Sequence, residues 1–132
     1  MEMKKLLESF NHAINGVIDA VRTQRNMKIH IVASIGVLIA CFFFDISKAE
    51  FLALAITITM VISAELVNTA VEAAVDLNTN YYHPLAKVAK NTAAGAVLVT
   101  AINALLVGYI VFWDKLSNFS YEVVYKIKHS EP

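Results

Sequence analysis

Along the first twenty-odd residues, apolar side chains recur every three or four positions. Leu6, Phe10, Ile14, Val17 and Val21 make up the series, while Lys5, His12, Asn15 and Asp19 fall on the other side. That spacing predicts an amphipathic α-helix over residues 3–22. Ahead of a long apolar stretch, such a helix is expected to lie in the plane of a membrane interface. Periodicity then gives way to continuous apolar runs. Residues 29–44, IHIVASIGVLIACFFF, form a first span candidate, short for a hydrocarbon core of about 30 Å unless flanking residues contribute. DISKAE follows as a turn, with Asp45 and Ser47 of helix-capping type and Glu50 suited to a first helical turn. A second span is expected over about 51–75, and DLNTNYYHP, with its Asn, Thr and Pro84, reads as the second loop. A third span, about 85–113, closes on Tyr109, Phe112 and Trp113 as an aromatic belt. Beyond it, residues 114–132 read as a tail in which FSYEVVYKI (119–127) alternates imperfectly, as a short strand does.

The expected fold class is therefore all-α integral membrane: a surface helix and three transmembrane helices in one domain, residues 1–113. Composition supports this. The 132-residue chain is 58% hydrophobic and only 17% charged, with a mean hydropathy of +0.58, well to the apolar side of a soluble domain. Net charge is zero, which leaves a nucleic-acid partner without electrostatic support. Lys4, Lys5, Arg22, Arg25, Lys28, Lys87 and Lys90 would share one side of the membrane, against Lys48, Lys115, Lys126 and Lys128 on the other. That asymmetry places the N-terminus in the cytoplasm.

Polar residues gather where the second span ends. Taking Glu65 as zero on a helix turning about 100° per residue, Asn68 falls near about −60°, Glu72 near about −20° and Asp76 near about +20°. All four share one stripe, beside Ala70, Ala73 and Ala74, which allow close helix approach. Ionisable groups at membrane depth are costly and mark functional sites. From Phe51 the helix descends roughly 21 Å to Glu65, just inside the far interface, and roughly 10 Å further to Glu72, beyond it. Lys87, Lys90 and Asn91, spaced i, i+3, i+4, give the third span a basic face at the same end. An acidic stripe beside a basic face suits a site that joins metal and phosphate. Helix-to-helix ion pairing is the structural alternative. No phosphate-binding glycine loop and no protein-kinase signature is present.

QRNMKIH (24–30), AELVNTAVEAAVD (64–76) and AKNTAAGAVLV (89–99) together resemble the small prokaryotic diacylglycerol kinase family, in its Gram-positive form, whose members are often undecaprenol kinases. The resemblance covers roughly residues 5–113. It implies a homotrimer in the bacterial cell membrane, with active sites between subunits, that transfers the γ-phosphate of Mg-ATP to the hydroxyl of a membrane lipid, undecaprenol or diacylglycerol. By the same resemblance, Glu65 is the general base at the lipid substrate and Glu72 a Mg²⁺ ligand. Asn68 and Lys90 handle phosphate, with Asn91 beside them, and His12, Tyr82 and His83 lie near the nucleotide. Two positions depart from the family pattern. Gln24 stands where a second metal-binding Glu is usual, and Asn91 where Asp usually follows the lysine. Each removes a negative charge from the Mg-ATP site, and an amide oxygen compensates less of the cation's charge. A weakened kinase that binds lipid or nucleotide, and a proton- or cation-translocating oligomer, remain as alternative functions.

Overall fold

The computed structural model describes residues 2–78 and 81–129. They form four helices: α1 (Glu2–Thr23), α2 (Arg25–Phe43), α3 (Lys48–Asn78) and α4 (Pro84–His129). The last three are long and apolar enough to cross a membrane. The most extensive packing is between α3 and α4, with α2 laid against α3 and α1 touching α2 and α3 near the elbow that joins it to α2.

Each boundary has a local cause. α1 and α2 meet at one residue, Gln24, whose extended backbone (φ −93°, ψ 122°) turns the chain without a loop. The Gln24 N–H still donates to the Ala20 carbonyl, so the helical ladder runs up to the elbow. Ala20 and Met27, one turn either side of it, are buried. α2 thus begins four residues before the expected span and gains the flanking turn that the apolar run lacked. At its other end the Ser47 Oγ accepts from the Glu50 N–H (3.3 Å), and Glu50 Oε2 accepts from the Ser47 N–H (2.8 Å). This reciprocal capping box starts α3 inside DISKAE. α4 starts with Pro84, whose missing N–H costs nothing at the first helical position, while His83 Nδ1 accepts from the Leu85 N–H (3.2 Å).

Two expectations are corrected. The segment read as the second loop contributes Asp76, Leu77 and Asn78 to α3; of the rest, Thr79 and Asn80 lie outside the described residues. Residues 119–127 are helical, part of a 46-residue α4, and no strand occurs among the described residues. Between Trp113 and His129 there is neither Gly nor Pro to stop the helix. A lone alternating segment also has no neighbouring strand to satisfy its backbone.

Polar side chains inside the spans satisfy themselves locally. Ser34, Thr57, Thr59 and Thr69 each donate to the carbonyl four residues earlier, at 2.7–2.9 Å. In hydrocarbon this is the economical solution, since no water is available. At the end of the helices away from Asp76 and Lys90, called the outer end after the expected orientation, Phe44 meets Phe112 and Phe119 edge-on, with centroids 5.9 and 6.3 Å apart. Lys115 donates to the Asp45 carbonyl (2.7 Å) and pairs with Glu50 (3.2 Å), tying α4 to the α2–α3 turn.

Candidate active site

Two polar side chains of α3 break the pattern of local satisfaction. Glu65 is 1% exposed and Asn68 5%, yet Glu65 Oε2 and Asn68 Oδ1 are buried without a hydrogen-bond partner. A buried polar atom left unpaired costs about 1–3 kcal/mol, more when charged. Both side chains line a cleft of about 290 Å³ formed by α2, α3 and α4, together with Asn26 and His30 of α2 and Val97 and Ala101 of α4. Its polar side chains come from α2 and α3, whereas the α4 side is apolar.

The stripe continues along α3 toward the end of the helix. Asn68 Nδ2 donates to Glu72 Oε1 (3.0 Å), which fixes the amide so that its oxygen turns away from Glu72. Glu72 is half-buried, and Asp76, one turn further, is exposed. Exposure thus rises along the stripe from Glu65 to Asp76. Lys90 of α4 forms an ion pair with Asp76, so part of the acid–base complementarity is helix-to-helix pairing. Among the described residues, no three His, Cys, Asp or Glu side chains gather as a metal site.

The remaining predicted residues are spread more widely. Gln24 is half-buried at the α1–α2 elbow, and its side chain makes no capping bond. His12 is exposed on α1, Tyr82 is exposed before α4, and Asn91 is exposed on α4. His83 caps α4 and lines a separate depression of about 480 Å³ with Val71, Val75 and Ala86. Asn26 and His30 were not singled out from sequence, although both lie in the NMKIH stretch. The available signal was their i, i+4 spacing, which puts two polar side chains on one face at the start of a span.

A buried carboxylate with an unpaired oxygen thus stands on a helix whose next turns carry an amide, a second carboxylate and a lysine-paired aspartate. The sequence profile described as prokaryotic diacylglycerol kinase matches residues 11–112. The chain belongs to the prokaryotic diacylglycerol kinase family. It is 42% identical over 115 residues to an undecaprenol kinase of Bacillus subtilis, covering 87% of this chain and 94% of that one. Against a diacylglycerol kinase of Synechocystis it is 45% identical over 104 residues, 78% of this chain and 59% of the relative. A diacylglycerol kinase of Escherichia coli K12 shares 32% over 80 residues, 61% of this chain and 65% of that one. With membership comes an enzyme class: this prokaryotic diacylglycerol kinase family member is a lipid kinase in a membrane, and it requires a phosphate donor. The family match ends one residue before Trp113, so the outer extension of α4 lies beyond it.

Proposed function

We propose that this lipid kinase transfers the γ-phosphate of ATP to the primary hydroxyl of undecaprenol or a diacylglycerol at the cytoplasmic interface. The observation that carries the reading is the buried Glu65 carboxylate, whose Oε2 has no partner in the cleft. A lipid hydroxyl entering there donates its hydrogen bond to Glu65 and relieves the unpaired oxygen. As the hydroxyl oxygen bonds to phosphorus and the bond to the departing ADP breaks, Glu65 takes the proton; base catalysis of this kind supplies about 10²–10⁴-fold. Asn68, held by Glu72, directs its amide oxygen and hydrogens to orient the reacting groups.

Magnesium in phosphoryl-transfer sites is held by one or two carboxylates plus the phosphates, not by a full protein cage. Glu72 is a hard oxygen donor of that kind, and Gln24 adds an amide oxygen. We assign both as the Mg²⁺-holding residues. The ion supplies charge neutralisation on the transferring phosphate. Lys90, exchanging Asp76 for phosphate oxygens, and Asn91 bind the triphosphate, while His12, Tyr82 and His83 border the nucleotide.

We further assign a homotrimer with sites between subunits, α1 in the inner interface plane, and a cytoplasmic N-terminus. Leu6, Phe10, Ile14 and Val17 are all exposed on α1, which supports a lipid or subunit surface against that stripe. Phosphorylation of both lipids from radiolabelled ATP, by wild type and Glu65→Gln, tests the reading: near-normal turnover in the variant would sink it. Topology is tested by cysteine labelling. Cysteines replacing Lys5 and Tyr81 should react from the cytoplasm and one replacing Ser47 from outside.

A further inference from the structure

The cleft at Glu65 does not end at His30. A second cavity of about 240 Å³ lies against it, lined by Ala33, Ser34 and Val37 of α2, Val61 of α3 and Ala104 and Leu105 of α4. His30 and Ala101 line both, so the two spaces adjoin at these residues. The offset has the same sense on all three helices. On α2 the lining moves from Asn26 to Val37, on α3 from Asn68 back to Ile58, and on α4 from Ala94 to Leu105. The second cavity therefore lies about two helical turns, or about 10 Å, further from the end that carries Asp76 and Lys90. Its chemistry differs from that of the first. The one hydroxyl in its wall, on Ser34, is already donated to the His30 carbonyl at 2.7 Å. Apart from His30 at the edge shared with the first space, the remaining side chains are hydrocarbon, in a part of the molecule that the apolar spans place in hydrocarbon.

We propose that this second cavity holds one hydrocarbon chain of the lipid alcohol whose hydroxyl is bound at Glu65, and that Ala33, Ala101 and Ala104 set the width of chain admitted past His30. The inference rests on the lipid-kinase reading of the cleft and adds a specificity element to it. A wall of alanines leaves room for a chain, and each added methylene in such a slot discriminates by about 10-fold or more. The slot has room only for the part of one tail nearest the hydroxyl; the rest of a long chain, like the second chain of a two-tailed lipid, stays in the bilayer.

Two measurements test this in the full-length protein. In the first, a long-chain polyprenol bearing a photoreactive diazirine on its second isoprene unit, counted from the hydroxyl, is irradiated with the wild-type protein in detergent, without ATP. Adducts on residues 33–37, 58–61 or 101–105, lost when Ala104→Leu fills the slot, are expected. Adducts confined to other faces of the helices would overturn the proposal. This arm needs no turnover, so it answers even if the kinase reading fails. In the second, kcat/KM is compared for the polyprenol and for dimethylallyl alcohol, which presents the same allylic hydroxyl on a single isoprene unit, too short to reach the second cavity. Ala104→Leu should lower the ratio of long to short by about tenfold. An unchanged ratio, whether both activities fall or neither does, would overturn the assignment of Ala104 as a width-setting residue. Wild type inactive on both alcohols would count against the kinase reading alone.

Discussion

The two ends of the α3–α4 pair treat their polar groups in opposite ways. At the outer end every strong polar interaction closes on the protein itself. Ser47 and Glu50 cap each other, Lys115 joins Glu50 and the Asp45 carbonyl, and three aromatic rings fill the gap between α2 and α4. At the inner end Glu65 and Asn68 are more deeply buried, yet each keeps an oxygen unpaired. Buried polar groups in folded proteins are as a rule hydrogen-bonded, so burial without satisfaction calls for an explanation. The same residue type, glutamate, is satisfied at one end of α3 and left unsatisfied at the other.

The contrast gives its largest expected effect when the two glutamates are compared. Glu65→Gln should lower lipid phosphorylation by about a thousandfold and leave the folded oligomer intact. Glu50→Gln should leave turnover within about twofold, since nothing reacting approaches the outer turn. Comparable losses in both variants, measured by transfer of labelled phosphate, would erase the distinction. Next in size is the metal side of the inner end. Restoring a carboxylate with Gln24→Glu should lower the Mg²⁺ concentration for half-maximal activity several-fold, because a charged ligand attracts a hard cation more strongly than an amide does. An active variant with unchanged magnesium dependence would remove Gln24 from the metal shell. Ser47→Ala should cost about 1 kcal/mol of stability through the lost cap, without altering KM for ATP; thermal inactivation in detergent reads it. Smallest of all, Lys115→Met should shift thermal inactivation less than Ser47→Ala does, as isolated surface pairs contribute little. A larger shift than that of Ser47→Ala would mean the outer end depends on this lysine more than on its cap.

Much of this architecture was legible because membrane helices advertise themselves. The 3–4 spacing through Leu6, Phe10 and Ile14 announced α1, and DISKAE carried its capping box in plain sequence. The stripe was legible too, because a 100° step fixes the relative directions of Glu65, Asn68 and Glu72 whatever surrounds them. Where the reading failed, tertiary context or missing punctuation was responsible. Alternation in FSYEVVYKI suggested a strand, but strand pairing needs a neighbour that no local pattern supplies. Asp76 looked like part of a loop because Asn and Thr follow it, and the helix simply ran on to Asn78. The cleft itself was invisible, since Asn26 and His30 join Glu65 only when α2 is laid against α3. The pairing of Lys90 with Asp76 is a matter of inter-helix register, which spacing within one helix cannot give.

The one-residue elbow at Gln24 makes α2 a gauge of bilayer thickness. Its 19 residues span about 28 Å, close to the hydrocarbon core, whereas the 31 residues of α3 and 46 of α4 have length to spare and can absorb a mismatch by tilting. With no loop between α1 and α2, a membrane that thickens cannot stretch the connection. It must draw α1 inward or thin locally around α2, and either response acts at Gln24, two residues from Asn26 and six from His30. The cleft residues of α2 are thus joined to α1 by a connection without slack.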